Sequence, residues 1–167
     1  MTAFIGGSYT FEQDGAVNLD AKAMFFFYAT GITPAMVEKM VGRGSQYAAA
    51  FVDSKGNPLD GGKTYKLHMP PNIPAKDFWS FTIYDNQTRS MLQTQQFPAV
   101  GSLTKGLQVN ADGSVDLYFS PKAPPGKESN WVQTVPGKGW NTLLRLYGPL
   151  QPWFDKTWRP GEIEPQA

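Results

Sequence analysis

The stretch from Gly62 to Leu92, GKTYKLHMPPNIPAKDFWSFTIYDNQTRSML, decides the fold because it contains two strand patterns separated by a proline-rich elbow. From Tyr65 to Met69, large apolar side chains alternate with polar ones, which is the period of a half-buried β-strand. The prolines of segment 70–74 cannot donate ladder hydrogen bonds, so the chain has to leave the sheet there. From Phe78 to Tyr84 the alternation returns, and it ends in a polar turn that carries Arg89. The stretch therefore predicts two strands of a sheet.

Strand patterns continue after this stretch, with turn signals between them. The residues from Val115 to Phe119 alternate after the turn Asn110–Gly113, whose glycine suits a short hairpin loop, so a partner strand is expected near Leu107. A last strand is expected from Trp140 to Tyr147, after a long loop rich in proline and glycine. No strand–helix–strand alternation is visible. The sequence therefore predicts a mainly β fold, an antiparallel sandwich or barrel.

The first part of the chain has a helical pattern instead. From about Leu19 apolar residues recur at a spacing of four, and Asn18 or Asp20 is suited to cap the helix. Thr33-Pro34 places a cap residue before a proline, which predicts the start of a second helix. The predicted division is a two-helix leader or connector at residues 1–45 and a β-sandwich domain at residues 46–167.

The composition argues against several classes of function. The chain has no cysteine, which removes disulfides, cysteine–metal sites and thiol nucleophiles. Its formal net charge is +1 and its basic residues are scattered, so nucleic-acid binding is not expected. No apolar run approaches the roughly 18–20 residues that a membrane span needs. We predict no metal site and no cofactor.

Several segments in the second part of the chain resemble one family in order and spacing. These segments are YKLHMPPNIPAKDFWSFTIYDNQTRSML, VNADGSVDLYFSP, NWVQT, LLRLYGP and TWRPGEIE. Together they resemble domain-of-unknown-function (DUF) family twelve-fourteen, the C-terminal module of bacterial proteins that carry the DUF twelve-fifty-four domain upstream. The resemblance extends from about Phe51 to the C-terminus, and the leader resembles the helical connector of the longer proteins.

The resemblance implies a jelly-roll-like β-sandwich and no settled activity. The upstream domain is not part of this sequence, so the chain is expected to be a truncated or stand-alone version, and half of any interdomain site would then be missing. The first residues, MTAFIGGSYTF, lack a basic segment followed by an apolar one, so no signal peptide is predicted. The chain as it stands agrees with a cytoplasmic location, and a periplasmic or secreted location stays open for longer relatives.

His68 is the only histidine and the first candidate for catalysis, as a general base or a metal ligand. One histidine cannot supply a histidine-based metal cluster, and the alternation places His68 on the polar face of its strand, which favours a structural role. The sequence has no G-x-S-x-G elbow; a Ser–His–Asp arrangement would need Ser80 or Ser90 as the nucleophile and Asp85 as the orienting carboxylate. The catalytic hypothesis is a hydrolase or lyase with a site around His68, Tyr84 and Arg89.

The candidates for ligand binding lie in turns and on the last strand. Arg89, in one turn with Asn86, can offer a planar fork to a carboxylate or phosphate, although turn formation is the competing explanation for both residues. Asn130 and Trp131 lie in the Pro/Gly-rich loop, where the indole either stacks against a sugar ring or anchors the loop. Arg145 lies between two leucines, and a part-buried arginine needs a partner, either internal or a ligand.

These observations support two hypotheses of function. The first is a non-catalytic module that binds a small molecule, a carbohydrate or a protein partner through the ligand-binding candidates. The alternative is the hydrolase or lyase described above. An apolar patch that an upstream domain would cover also predicts a homo-oligomer, or docking to that domain.

Overall fold

The computed structural model describes residues 11–13, 15–30 and 39–166. The chain divides into two compact units, Met1–Lys39 and Met40–Ala167. In the first unit, β1 (Glu12–Gln13) pairs antiparallel with β2 (Ala16–Val17), and α1 (Leu19–Thr30) follows.

The first helix of the predicted leader is confirmed as α1. Asn18 caps it, because its side-chain Oδ1 accepts a hydrogen bond from Ala21 N at 2.8 Å. The predicted second helix, which would begin at Thr33-Pro34, lies for the most part outside the described residues. Met40 and Val41, further along the same stretch, are described and exposed, and neither is helical.

The second unit consists mainly of strands. In chain order these are β3 (Ser45–Ala50), β4 (Tyr65–Met69), β5 (Ala75–Asp85), β6 (Ala99–Gly101), β7 (Val115–Ser120), β8 (Trp131–Gln133) and β9 (Trp140–Pro149), followed by the short helix α2 (Gln151–Phe154) and β10 (Ile163–Pro165). Sheet I has the strand order β10–β4–β7–β8, and sheet II has the order β3–β9–β5–β6. The pairing of β7 with β8 is parallel, and the other pairs in these two sheets are antiparallel.

The two sheets share one hydrophobic core, which fills the space between them in a sandwich-like arrangement. The centre of the Phe119 ring in sheet I lies 6.3 Å from the centre of the Phe81 ring and 5.0 Å from that of the Trp140 ring, both in sheet II. The rings of Tyr65 and Trp140 pack edge to face, with 5.7 Å between their centres. Such aromatic pairs contribute about 0.5–1.5 kcal/mol each beyond the burial of their area. The mainly β prediction is confirmed, and the jelly-roll connectivity stays a prediction.

The alternation in the decisive stretch is what separates core from surface. Leu67 and Ile83 are buried in the core, whereas their neighbours His68 and Tyr84 lie on the outer faces of sheet I and sheet II. Candidate site residues on these strands are therefore divided between two surfaces that face away from each other.

The predicted hairpin before β7 is wrong in its first half. Asn110 N does donate to Ser114 O at 2.8 Å across the turn, but the residues before the turn form no strand, and Val109 is 58% exposed. The physical reason is that the side chain of Asn130 binds both the N–H and the C=O of Gln108, at 2.7 and 2.8 Å. A side-chain amide thus takes the backbone groups that a partner strand would have used.

The long loop before β9 and the C-terminal tail also contain structure that was not expected. The loop includes β8, which extends sheet I. The tail forms α2, where Pro152 lies in the first turn and its missing N–H is not needed. The tail then adds β10 to the edge of sheet I, and its two tryptophans, Trp153 and Trp158, are buried. Within the described ranges, no helix combines the length and apolar character needed to cross a membrane.

Candidate functional site

The polar turn after β5 is folded around the carboxylate of Asp85. This carboxylate is buried, and its Oδ1 accepts hydrogen bonds from the backbone N–H groups of Gln87 at 2.7 Å and Thr88 at 3.1 Å. Its Oδ2 forms an ion pair with Lys138 Nζ at 2.7 Å. The Lys138 ammonium and these backbone donors lower the pKa of Asp85 from 3.8 to about 2. Asp85 therefore holds the turn and does not orient His68, which was its role in the hypothetical triad.

The two candidate ligand-binding residues of this turn differ in what they can still bind. Asn86 Nδ2 donates to Trp140 O at 3.1 Å, and its Oδ1 accepts from Asn141 Nδ2 at 2.7 Å, so its amide ties the turn to β9. Arg89 is exposed, has a φ of 64° and donates its backbone N–H to Asp85 O at 2.9 Å. Its guanidinium makes no hydrogen bond or ion pair with the described residues, so Arg89 keeps its side-chain donors for a ligand.

The amide of Asn130 is committed to the fold. Asn130 is 2% exposed, and besides its two bonds to Gln108 it donates to Asp116 O at 2.8 Å. Trp131 is the first residue of β8 and is half-buried, and its Nε1–H donates to Ser120 O at 2.9 Å. The register places Trp131 beside Tyr118 of β7. Because the indole N–H is used, only ring surface remains for a ligand at Trp131.

His68 is half of a histidine–carboxylate pair on the outer face of sheet I. Its Nδ1 lies 2.8 Å from Asp116 Oδ1, and Lys66 Nζ lies 3.1 Å from Asp116 Oδ2. Burial would raise the pKa of Asp116, but the hydrogen bonds from His68 and Lys66 outweigh it and lower that pKa. The His68 side chain is 49% exposed, and its Nε2 has no hydrogen-bond partner among the described residues. The imidazole is therefore oriented by a carboxylate with one nitrogen open to solvent.

Arg145 lies at the centre of the outer face of sheet II. Its Nη2 donates to Tyr84 OH at 2.5 Å and its Nη1 to Thr82 Oγ1 at 3.3 Å. The guanidinium carbon also lies 5.8 Å from the centre of the Tyr84 ring, within cation–π range. The ion pairs found in the described part of the chain are Lys66–Asp116 and Lys138–Asp85, and neither involves Arg145. Arg145 is thus half-buried with neutral partners alone, and donors on its guanidinium remain unused.

The structure brings some of the predicted residues together and separates others. Tyr84 and Arg145 are in contact on sheet II, and Arg89 belongs to the turn that directly follows Tyr84 on β5. His68 lies on the outer face of the other sheet, with the core in between, so it does not form one site with Tyr84 and Arg89. Ser90 is also unsuited as a partner of His68, because its hydroxyl contacts Thr88 at 2.8 Å.

Sequence reasoning missed Asp116 and Thr82, which position His68 and Arg145. Both residues occupy outward positions in the alternation of their strands. Nothing nearby in the sequence, however, indicates which residue of another strand lies beside them. Among the described residues, no group of three or more histidine, aspartate or glutamate side chains could hold a metal ion.

The family assignment comes from a match over residues 44–151. The matching family is described as "Protein of unknown function (DUF1214)". The chain belongs to this family. The match begins slightly before Phe51 and ends at residue 151, and the predicted relation to an upstream DUF twelve-fifty-four domain stays a prediction. The candidates His68, Tyr84, Asn86, Arg89, Asn130, Trp131 and Arg145 all lie in the matched range, so they are part of the DUF1214 domain itself.

Two solved proteins are similar to this DUF1214 chain over most of its length. The VPA0106 protein from Vibrio parahaemolyticus is 25% identical with a TM-score of 0.65, and the match covers 89% of this chain and 35% of that one. An uncharacterized protein from Burkholderia cenocepacia is 22% identical with a TM-score of 0.48, and the match covers 78% of this chain and 32% of that one. The chain thus spans about a third of the length of each. No curated protein matches it.

The ion pair of Asp85 makes a prediction about the pH dependence of stability. Because the pKa of Asp85 is lower in the folded chain than the unfolded value of 3.8, its ionised form contributes stability above about pH 4, which is lost as the pH falls towards 2. We expect Asp85→Asn to lower the melting temperature near neutral pH. The deficit should shrink over this acidic range, as measured by circular dichroism melts.

The exposed carboxylate of Asp77 on the same strand provides the matched control. Asp77→Asn should leave the melting temperature close to that of the unmodified chain across the same pH series. A deficit for Asp85→Asn that stays constant down to pH 2 would show that the ion pair is not its cause.

Proposed function

We propose that this DUF1214 domain is a non-catalytic binding module whose ligand contacts Arg145 on the outer face of sheet II. The observation that carries the proposal is the guanidinium of Arg145, which is half-buried and has only hydroxyl groups and an aromatic ring as partners. Removing an arginine from water costs free energy that neutral partners recover only in part. An arginine kept in this state on a surface suits a ligand with a carboxylate, a phosphate or hydroxyl groups.

The surroundings of Arg145 support a small-molecule ligand, sugars included. Its direct neighbour on β3 is Tyr47, which is 51% exposed, and the next pair along the sheet is Phe78 stacked on Tyr147 at 4.0 Å. Aromatic side chains beside a cationic group provide stacking surfaces together with a directional anchor. Arg89, in the turn that follows β5, is a second cation with free donors. Trp131, on sheet I, is a separate and weaker platform because its indole N–H is already used.

We expect Arg145→Ala to weaken ligand binding by about ten- to a hundredfold, since a hydrogen bond to a charged group contributes about 1.5–3 kcal/mol. The measurement is saturation-transfer NMR on the intact chain with a panel of neutral sugars, organic carboxylates and inorganic phosphate. Arg145→Lys keeps the charge without the planar fork and should bind at an intermediate level.

The matched control is Arg159→Ala, which removes an exposed arginine from the tail. It should bind every member of the panel as the unmodified chain does. If no member of the panel binds at millimolar concentration, or if Arg145→Ala and Arg159→Ala behave alike, the proposed site is refuted.

A second candidate function is a hydrolase or lyase that uses His68. The specific observation is the 2.8 Å contact of its Nδ1 with Asp116, because a carboxylate in this position fixes the tautomer and orientation of a general base. In this version Tyr84 and Arg89 of the original hypothesis do not take part, since they lie on the other sheet.

For this candidate we expect any turnover of p-nitrophenyl acetate or p-nitrophenyl glycosides to fall about 10²–10⁴-fold in His68→Gln, the usual contribution of a general base. Asp116→Asn should lower the rate as well, because it removes the orienting carboxylate. Turnover that survives both substitutions unchanged would exclude His68 as the base.

We also propose that the chain self-associates through the edge of β3 that pairs with no other strand of the described residues. The other sandwich edges are protected: β6 and β8 have three residues each, and β10 contains Glu164 and Pro165. By contrast β3 has six residues, SQYAAA, without a charge or a proline. An antiparallel pair of β3 strands from two copies would satisfy the free backbone groups of both. In longer relatives, the same edge suits docking by an upstream domain.

We expect Ala49→Lys to shift the chain from dimer to monomer, because Ala49 is exposed in the middle of β3 and a lysine on an edge opposes strand addition. Light scattering at high micromolar concentration measures the mass. Val109→Lys places the same charge on an exposed position outside the sheets and should leave the mass unchanged. A monomeric unmodified chain under these conditions would contradict self-association.

A further inference from the structure

A shallow apolar groove runs along the β6 edge of the outer face of sheet II. It has a volume of about 250 Å³, and its lining includes the apolar residues Phe78, Phe97, Ala99 and Leu103 together with Gly101. Phe97, just before β6, is 71% exposed, and Leu103, just after it, is 78% exposed. Two large apolar side chains are therefore exposed to solvent. Apolar side chains exposed together beside a groove are typical of a binding surface.

The strand register brings this groove next to Arg145. On β5, Ser80 lies opposite Arg145 of β9 on one side and opposite Gly101 of β6 on the other. Thr82, whose Oγ1 accepts the hydrogen bond from Arg145, lies directly opposite Ala99 in the groove. Only β5 lies between Arg145 on β9 and the groove at β6, and neighbouring strands are about 5 Å apart.

We propose that Arg145 and the β6 groove together bind a small organic carboxylate with an apolar arm, such as a medium-chain fatty acid or an arylalkanoate. This inference rests on the proposed binding function and names its ligand class. The carboxylate pairs with the free donors of Arg145, which the fold leaves without an anion. The arm passes over Ser80 into the groove, where it covers Phe97 and Leu103 from water.

The size and the polarity of the groove both favour this class of ligand. A cavity of about 150 Å³ holds one benzene molecule, so 250 Å³ has room for a ring with a short linker or for a medium alkyl chain. Two hydroxyl groups beside the groove already accept hydrogen bonds from the backbone: Thr104 Oγ1 accepts from Gly101 N at 2.9 Å, and Ser102 Oγ accepts from Trp79 N at 3.1 Å. Apart from Ser80 and Thr104, the residues that line the groove are apolar, so an apolar arm fits it better than a sugar, whose hydroxyl groups would find few partners there.

Gly101, one of the residues that line the groove, is required by the pairing of β6 with β5. A Cβ at this position would lie 2.3 Å from Trp79 O, which no real side chain tolerates. Only glycine therefore allows β6 to pair so closely with β5 beside the groove.

The test compares acetate, butanoate and octanoate with 1-octanol, by chemical-shift titration of the intact chain. Each buried methylene is worth about 0.8 kcal/mol, or three- to fourfold in affinity, so we expect octanoate to bind at least about tenfold more tightly than acetate. Octanol should bind about tenfold more weakly than octanoate because it cannot pair with Arg145. The largest shifts should come from the amides of Ala99, Gly101 and Ser80.

Two variants separate the head group from the arm. Arg145→Gln should reduce octanoate affinity to that of octanol, at least about tenfold. Leu103→Ser should remove about three- to tenfold of the octanoate affinity and leave acetate unchanged. Leu103 is exposed, so this substitution does not disturb the core, and Val109→Ser is the matched control at an exposed position away from the groove.

The outcomes distinguish this inference from the proposed function. If sugars or phosphate bind in an Arg145-dependent way but affinity does not rise with chain length, the ligand class is wrong and the binding module stands. If a peptide with a C-terminal leucine binds through Arg145 and octanoate does not, a protein terminus replaces the small molecule. If none of these probes binds at millimolar concentration, both proposals fail.

Discussion

The contact between the rings of Phe119 and Phe81 joins the two sheets, and the rest of the structure depends on it. Each sheet has one apolar face, and neither face can be covered by its own strands. Phe119 also stacks on Trp140, whose ring reaches Tyr65 in sheet I, so the aromatic contacts pass repeatedly between the sheets. The side chains of this core occupy the inward positions of β4, β5, β7 and β9. The polar residues that alternate with these core residues therefore lie on one of two outer surfaces.

The two outer surfaces differ in how far their charges are satisfied. On sheet I, Lys66 and His68 both contact Asp116, and the contact with Asp116 raises the pKa of Lys66, so the ammonium and the carboxylate neutralise one another. On sheet II, Arg145 has no carboxylate within ion-pair distance among the described residues. Where the charges of a surface already pair with one another, binding a further ion contributes little free energy. The surface that leaves a half-buried cation with neutral partners has more to gain from a ligand, and this difference favours sheet II as the binding face.

The fold class was predictable because alternation is a local property of the sequence. Leu67 and Ile83 were correctly placed inside, and His68 was correctly placed on a polar face. Partners across strands could not be predicted, since nothing near His68 in the chain identifies Asp116. For the same reason Asn130, which looked like a loop residue available to a ligand, is a buried substitute for a strand partner of Gln108. Its amide satisfies backbone groups that are distant in sequence, and such long-range compensation leaves no pattern that one sequence can reveal.

The position of the candidate site follows from the same alternation that builds the core. On the central strand β5, Trp79, Phe81 and Ile83 face inward, so Ser80 and Thr82 must face outward between Arg145 and the β6 groove. If the register of β5 slipped by one residue, the outward residues would be buried and the aromatic residues exposed. The fold would then lose the free energy of burying several large side chains. The juxtaposition of Arg145 with the groove is therefore fixed by the register of the two inner strands of sheet II. In the proposed site, the sheet itself sets the distance between the cation on β9 and the residues of β6 that line the groove.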